Sequence, residues 1–516
     1  MRPSHLLGFS LRVLLINPPL DTVLRDGHVS PVTSYLFYNS APLGLLYLAA
    51  MLEQAGEEVM VIDAAAELLD IPKTVEKIKD YQPDFVGIGS TTVVFESTKE
   101  LAAEIKRALP TMPIVLGGYH VSLLPKEAME CPHFDVGVIH EGEHAILELA
   151  EHFRGERELN SIDSIVYREK DGTVAFTPHR KDFRKLDEIP LPARHLLPAN
   201  MYKPVPIDEH GLPKFSMITS RGCPHACAFC QKSRTGYRSR SAAAIVDEME
   251  HLVRDFGAKD IAIVDSLFCA NKKRVMAVCD EIIRRQLKIS WTCSSRVEVV
   301  DREMLERMKQ AGCWRTRFGV ESGSDRVLEF ISKGITKEKI RNAITWADEA
   351  GLRPKAFFMV GHMPDTPETI RETIEFAKSI PLHDITVQIN TLLPKTPQME
   401  VWEREGEKWG RVINKTTDEK SFWEPTFVPW GMESADIIRF HRQFYREFYF
   451  RPQVLAKHLE EINSLQDIRK YIKASSLFSF LFYDAEKPTL KVVRGTISDL
   501  VKRGIRRTKD DAIAAK

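Results

Sequence analysis

Between residues 11 and 150, short continuous apolar runs alternate with stretches whose apolar residues recur at helical spacing. The runs are 11–19 (LRVLLINPP), 58–64 (EVMVIDA), 84–90 (DFVGIGS), 113–118 (PIVLGG) and 136–142 (VGVIHEG); PLGLLYLAAMLEQAG, TVEKIKDY and TKELAAEIKRAL lie between them. A strand covered by helices on both faces needs an unbroken apolar run, so the pattern predicts an α/β fold with a doubly wound parallel sheet. From 155 to 215 the pattern breaks up around prolines, and 164–176 (SIVYREKDGTVAF) predicts a hairpin turning at Asp171 and Gly172. Alternation resumes with FSMITS, IAIVDS, ISWTCSS, TRFGVES, KAFFMVG and DITVQIN, six strand candidates separated by helices. Six units between residues 216 and 395 are too few for a closed eight-stranded barrel, whose usual length is about 250 residues, and predict a partial (βα)6 TIM barrel. Beyond Pro397 the chain reads as helical and aromatic, with 437–452 (IIRFHRQFYREFYFRP) and 477–483 (LFSFLFY), and it ends in a basic stretch from Lys487 to Lys509. The expected organisation is a Rossmann-like domain over 11–155, a connector over 156–215, a barrel domain over 216–400 and a mainly helical region over 401–516.

Composition narrows the class. A chain of 516 residues exceeds one hydrophobic core and suits about three domains. Its 72 basic and 72 acidic residues leave no global field, so nucleic acid is not implied as a partner. The apolar start is interrupted by Arg12 and lacks a small-residue cleavage site, which reads as a leader into the first strand. Residues 29–52 carry no formal charge but contain Pro31, Asn39, Pro42 and several hydroxyls, too polar a run for a membrane span. Eight cysteines are too few for a disulfide scaffold in so long a chain, and the reducing cytoplasm is the natural compartment. Cys131, Cys269, Cys279, Cys293 and Cys313 are scattered and read as small buried hydrophobes.

The other three cysteines fall together. In SRGCPHACAFCQK, Cys223, Cys227 and Cys230 have the spacing C-x3-C-x2-C immediately after the strand FSMITS. Iron–sulfur clusters are held by thiolates, and ferredoxin-type cubanes use four. Three leave one iron without a protein ligand, open to a substrate or cofactor. Zinc is the competing reading because His225 lies inside the loop, although zinc ligands usually come in paired C-x2-4-C or C/H units.

This loop, with Phe229 just before the last cysteine and on the first strand-loop of a partial βα barrel, resembles that of the radical SAM superfamily. The resemblance implies that Cys223, Cys227 and Cys230 bind three irons of a 4Fe-4S cluster, while the fourth iron takes the amino and carboxylate groups of S-adenosylmethionine (SAM). One electron then cleaves SAM to methionine and a 5'-deoxyadenosyl radical, which abstracts hydrogen from carbon. It also implies that Glu321 and Ser322 in FGVESGSD lie near the SAM ribose and methionine, Arg296 in WTCSSRVE near its carboxylate, and Gly361 in FFMVGHMPDTPET beside its adenine. The competing readings are a helix cap for Glu321, a surface ion pair for Arg296 and a strand terminus for Gly361.

The N-terminal region resembles the cobalamin (B12)-binding domain joined to many radical SAM enzymes. The matching features are INPP (Asn17 to Pro19), APLGLLYLA (Pro42, Leu43, Gly44), IDA (Asp63), GIGSTT (Gly89, Ser90, Thr91), LGGYHVSLLP (Gly117, Gly118, His120) and HEGEHA (Gly142, Glu143). Ligands of open α/β sheets sit beyond the carboxyl ends of the strands, where small residues allow close approach; a generic Rossmann-like module with glycines for tight turns is the competing reading. The D-x-H-x-x-G signature is absent, so the resemblance implies base-off cobalamin with no histidine below cobalt, an arrangement favouring nucleophilic cob(I)alamin. His120 is expected along the corrin edge or as a loop residue.

Taken together over residues 11–400, the resemblance implies a cobalamin-dependent radical SAM enzyme. It would be a methyltransferase acting on an unactivated carbon of a lipid or natural-product-like substrate, through the 5'-deoxyadenosyl radical and methylcobalamin. A radical oxidative cyclase or rearrangement enzyme is the alternative. A corrinoid carrier or sensor with a structural cluster belongs to another class, and the vacant iron argues against it. A tRNA methylthiotransferase would have three further cluster cysteines in its N-terminal domain, where this chain has only Cys131. The implied partners are a small-molecule or lipid substrate and an electron donor such as flavodoxin or ferredoxin. In the C-terminal region Leu490, Val493, Ile497, Leu500, Val501 and Ile505 recur at helical spacing beside Lys491, Arg494, Lys502, Arg503, Arg506 and Arg507. Such a helix suits peripheral contact with the anionic inner membrane surface or, alternatively, packing on the barrel.

Overall fold

The computed structural model describes residues 10–20, 40–181, 184–202, 204–205, 208–231, 236–414, 416–417, 424–460, 462, 467–468 and 471–472. The run LFSFLFY and the basic amphipathic stretch lie outside the described residues.

The N-terminal sheet contains β1 (Arg12–Asn17), β2 (Glu58–Asp63), β3 (Phe85–Gly89), β4 (Ile114–Gly117), β5 (Val136–Val138), β6 (Ile165–Arg168) and β7 (Val174–Phe176), in the order β2-β1-β3-β4-β5-β6-β7. The first five strands are parallel, as their unbroken apolar runs predict. Helices Leu43–Gln54 and Ala145–Phe153 cover one face, burying Leu46, Met51 and Leu149; helices Ile71–Tyr81 and Phe95–Ala108 cover the other, burying Ile78, Leu101 and Ile105. Strand order reverses at β1, with β2 on one side and β3 on the other, which opens a crevice beyond the carboxyl ends of β1 and β3. The hairpin at Asp171 and Gly172 forms with Gly172 at φ +88°. It does more than connect, because β6 pairs antiparallel with β5 and extends the sheet.

The second sheet has six parallel strands and remains open. After β8 (Lys214–Met217) comes a two-residue ribbon, β9 (Ser220–Arg221) with β10 (Arg238–Ser239). The sheet continues through β11 (Asp260–Ile263), β12 (Ser290–Ser295), β13 (Cys313–Glu321), β14 (Lys355–Val360) and β15 (Asp384–Ile389), in the order β15-β14-β13-β12-β11-β8. Trp291, Phe318 and Phe358 are fully buried in its core. At the base, where the strands begin, Arg315 is 1% exposed and paired with Asp208 and Asp384. Lys355 pairs with Asp208 and Lys214 with Asp260, each at 2.9 Å.

An open half-barrel leaves an edge strand with unpaired backbone groups. Helix Ser434–Tyr449 covers that edge: the Val387 N–H donates to Tyr445 Oη at 2.8 Å and the Ile385 N–H to Tyr449 Oη at 3.3 Å. On the same helix Phe440, Phe444 and Phe448 join the barrel core, with the Phe444 ring 5.0 Å from that of Phe358. The aromatic stretch therefore seals β15. Where the sequence reads as helical, the structure also holds a ribbon of β16 (Gly410–Val412) and β17 (Phe427–Pro429); β17 follows Pro425 and ends on Pro429, and proline disfavours a helix interior. Among the described residues no helix is long and apolar enough to cross a membrane.

Candidate active site

The cysteine loop is pinned at both ends and in its middle. Where it leaves β8, Asp265 accepts hydrogen bonds from the Thr219 N–H at 2.6 Å and the Ser220 hydroxyl at 2.6 Å. Gly222 stands at φ +79°, and a Cβ there would lie 2.1 Å from the Gly236 carbonyl oxygen, so only glycine allows the ribbon to cross. Farther on, the Ala228 N–H donates to the Ile331 carbonyl at 2.8 Å, and the Ala228 carbonyl accepts from the Gln398 N–H at 2.9 Å. Cys227 is buried, Cys223 half-buried and Cys230 exposed. Partial desolvation, then the nearby sulfurs of Cys227 and Cys223, push the Cys230 thiol up, as expected of three neighbouring thiols. Among the described residues no three His, Cys, Asp or Glu side chains gather as a single-metal site would. A cubane asks for less convergence, because each thiolate binds a different iron.

The other residues expected around SAM divide into two groups. Arg296, at the end of β12, is buried and donates through Nη1 to Cys227 Sγ at 2.9 Å; Nε meets Glu298 and Nη2 the Lys333 carbonyl. It is neither a surface ion pair nor free to turn elsewhere without losing these partners. Burial works against its charge, but Cys227 and Glu298 more than offset this and hold its pKa above the ordinary value. Glu321 ends β13 beyond a register shift and at φ +69°, a rare conformation for a residue with a side chain. Its carboxylate takes a hydrogen bond from Lys333 Nζ at 2.7 Å, with both residues buried, and the pair lies directly over Gly319. Glu321 thus does not serve as a simple helix cap.

Ser322 and Gly361 are engaged by the fold. The Ser322 hydroxyl lies 3.0 Å from Thr373 Oγ1 and accepts from the Ser324 N–H at 3.1 Å. Gly361 ends β14 at φ +86°, its N–H donating to Asp365 Oδ2 at 2.9 Å and its carbonyl accepting from Asn390 Nδ2 at 3.3 Å. Burial raises the Asp365 carboxyl to about 6. Next to Gly361, His362 is fully buried with neither ring nitrogen partnered, its ring 6.0 Å from that of Phe229 on the cluster loop. Gln398 Oε1 is likewise buried and unpartnered. Sequence reasoning passed over His362, Lys333 and Gln398; only the position of His362, one residue after Gly361, offered a signal.

On the N-terminal side, Pro42, Gly44, Thr91, Gly117 and Gly118 stand open or half-open at the carboxyl end of the sheet. Gly89 and Gly142 instead admit Leu45 and Leu48 of helix Leu43–Gln54, which a Cβ would meet at 3.2 and 3.3 Å. Asn17 and Asp63 are joined by a 2.8 Å hydrogen bond, and Tyr202 Oη donates to Asp63 at 3.0 Å. Three expected cofactor contacts are turned inward. Ser90 is buried, its hydroxyl 2.9 Å from Thr98 Oγ1. His120 has no exposed surface and stacks on Phe95 with ring centroids 3.7 Å apart; burial, then Lys99, lowers its pKa to about 4. It is a buried histidine packed on Phe95, with neither ring nitrogen hydrogen-bonded, and presents no surface to a corrin edge. Glu143 is bound to Arg221.

That last pair joins the two halves. Arg221, two residues before Cys223, donates to Glu141 at 2.8 Å and to Glu143 at 2.5 Å, and Arg238 also pairs with Glu141. Tyr119, 52% exposed at the start of the short helix Tyr119–Leu123 after β4, has its hydroxyl pKa raised by partial desolvation and then by the Cys230 sulfur. The carboxyl end of the N-terminal sheet therefore faces the cysteine loop. The residues fit the groups that the sequence implies: three neighbouring thiols, buried polar atoms without partners beside them, and an open glycine-lined surface opposite.

Comparison with known proteins agrees. Residues 29–150 match the B12 binding domain family and residues 217–377 the radical SAM superfamily. An uncharacterized methyltransferase of Pyrococcus horikoshii is 34% identical over 457 residues, covering 87% of this chain and 95% of the relative. The anaerobic magnesium-protoporphyrin IX monomethyl ester cyclase of Rubrivivax gelatinosus is 27% identical over 81% of this chain and 75% of its own. The cobalamin-dependent S-adenosylmethionine radical enzyme OxsB, with aqua-cobalamin bound, shares the fold at a TM-score of 0.70 with 17% identity, over 96% of this chain and 75% of its own. The chain belongs to the cobalamin-dependent radical SAM enzymes, a family of methyltransferases and cyclases that works with a 4Fe-4S cluster, SAM and cobalamin.

Proposed function

We propose that the chain methylates an unactivated carbon of a lipid or natural-product-like molecule, with Cys223, Cys227 and Cys230 as cluster ligands. The open surface formed by Pro42, Gly44, Thr91, Gly117 and Gly118 is the corrin platform. The observation that carries this reading is the pairing of Arg221, two residues before Cys223, with Glu141 at 2.8 Å and Glu143 at 2.5 Å, which sets that platform against the cluster loop. When bound, SAM on the cluster supplies a hydrogen-abstracting radical and the corrin a transferable methyl group. The chain's residues supply position: Arg221 ties the loop before Cys223 to Glu141 and Glu143, and Glu321, held by Lys333, offers a fixed carboxylate toward SAM. Flavodoxin or ferredoxin as electron donor, a cytoplasmic setting and peripheral contact with the inner membrane surface belong to the same proposal. So do functional units over 11–155, 156–215, 216–400 and 401–516.

An oxidative cyclase is the second reading, favoured by the 27% identity to the Rubrivivax enzyme. Anaerobically reconstituted protein, reduced with dithionite and given methyl-deuterated SAM with lipid and natural-product extracts, distinguishes the two. Methylation yields 5'-deoxyadenosine, S-adenosylhomocysteine and a deuterated methyl group on carbon, whereas cyclisation yields no label in product. Cys223→Ala, Cys227→Ala and Cys230→Ala are each expected to abolish SAM cleavage; turnover in any of them refutes the cluster assignment.

A further inference from the structure

Arg296 is held from three sides. Its guanidinium meets Cys227 Sγ at 2.9 Å, the Glu298 carboxylate and the Lys333 carbonyl, and the residue is 7% exposed. Lys333 is itself fixed, with Nζ on Glu321 at 2.7 Å and 5.7 Å from the centroid of the Phe229 ring. Glu298 lies 3.8 Å from His225 Nδ1, inside the cysteine loop. The guanidinium fork is therefore planted on the loop with one N–H aimed at the Cys227 sulfur. A planar fork whose other edges are already engaged cannot swing to a second ligand without breaking a buried hydrogen bond.

We propose that Arg296 is a positioning residue that sets the reduction potential of the cluster through Cys227, rather than the residue that binds the SAM carboxylate. This rests on the reading of Cys227 as a cluster ligand. The relevant step is the gain of one electron by the oxidised cluster from an external one-electron donor; no bond forms or breaks at Arg296. That electron adds negative charge shared between the irons and their sulfurs. A cationic donor hydrogen-bonded to one of those sulfurs stabilises the reduced form more than the oxidised form. Arg296 thus makes the cluster easier to reduce, and its three fixed partners keep the contact in place during turnover.

The test uses full-length protein, anaerobically reconstituted, with iron and sulfide content measured before each titration. The midpoint potential is read by electron paramagnetic resonance against dithionite, and SAM binding by equilibrium dialysis. Arg296→Met is expected to shift the midpoint to a more negative value with iron content unchanged. Arg296→Lys, which retains charge but not the fork, is expected to fall between Arg296→Met and the unaltered chain. A wild-type midpoint in iron-replete Arg296→Met overturns the proposal, as does weakened SAM binding with the midpoint unmoved. If Arg296→Met takes up no cluster, Arg296→Lys decides: an unshifted midpoint there overturns the proposal and a negative shift supports it. An unaltered chain that assembles no cluster overturns the cysteine assignment, and this inference with it. Loss of cluster in Cys227→Ala alongside an unmoved midpoint in Arg296→Met leaves that assignment standing and removes only the role of Arg296.

Discussion

Arg221→Met removes the clamp between the two halves while keeping an unbranched side chain of similar reach. The native side chain is 18% exposed and holds Glu141 at 2.8 Å and Glu143 at 2.5 Å, with the carboxylates 14% and 7% exposed. Glu141 retains Arg238, but Glu143 forms no other ion pair among the described residues. Leaving one buried carboxylate without its cation costs about 3–5 kcal/mol, and the residual exposure places this case at roughly 3 kcal/mol. At 1.36 kcal/mol per tenfold, that corresponds to about a hundredfold in the local opening equilibrium. Hydrogen exchange read by mass spectrometry is expected to accelerate by that order at residues 139–146 and 219–222. Corrin and iron contents should remain those of the unaltered chain. Unchanged exchange in both segments refutes the clamp.

Gly319→Ala places a Cβ 2.6 Å from Glu321 Oε1 and 2.8 Å from Lys333 Nζ; the pair must separate, and equilibrium dialysis of SAM on reconstituted protein is expected to show at least about tenfold weaker binding, the equivalent of one lost charged hydrogen bond. His441 is half-buried with Nε2 2.9 Å from the Val387 carbonyl, and desolvation lowers its pKa to about 4 against the ordinary 6.5. Its stabilising contribution is present above pH 6.5 and is lost as pH falls from 6.5 through about 4, roughly 3 kcal/mol in all; urea midpoints of His441→Gln should fall less steeply over that window, and parallel slopes refute the assignment. Full-length protein is expected to float with anionic liposomes at low salt and a chain ending before Lys487 to remain below; equal behaviour of the two returns the basic stretch to a packing role.

What the sequence disclosed was what lies close along the chain. C-x3-C-x2-C fits in one loop, and each parallel strand announces itself as an apolar run, so both sheets and the cluster loop are legible without coordinates. Pairings across distance are not: Arg221 and Glu143 are 78 residues apart, Arg296 and Cys227 are 69 apart, and neither pair has a local signature. Direction is equally hidden. His120 follows two glycines in a stretch that suggests a ligand, but it lies in the short helix Tyr119–Leu123 and its ring packs on Phe95. The stripe Phe440, Phe444 and Phe448 and the stripe His441, Tyr445 and Tyr449 both recur every four residues on one helix. Only the exposed edge of β15 explains why one is wholly apolar while the other carries hydroxyls and a ring nitrogen.

The two ends of the half-barrel differ in a way that bears on function. At the base, buried charges are matched: Arg315 to Asp208 and Asp384, Lys355 to Asp208, and Lys214 to Asp260. Such a network of paired charges fills the space where the strands begin. At the carboxyl end, His362 and Gln398 Oε1 are buried beside the cluster loop without hydrogen-bond partners, and Glu321 is held at positive φ. Unsatisfied buried polar atoms and strained backbone both reduce stability, and proteins retain them chiefly where a ligand or a reaction needs them. Barrel enzymes place their active sites at this same carboxyl end. A buried histidine held neutral, with pKa lowered to about 3 by burial and by Lys333, can still accept or donate one hydrogen bond to a ligand bound against Gly361. Binding capacity therefore lies at the carboxyl end of the strands, and Arg221 directs that end toward the carboxyl end of the N-terminal sheet, the surface proposed above to hold the corrin.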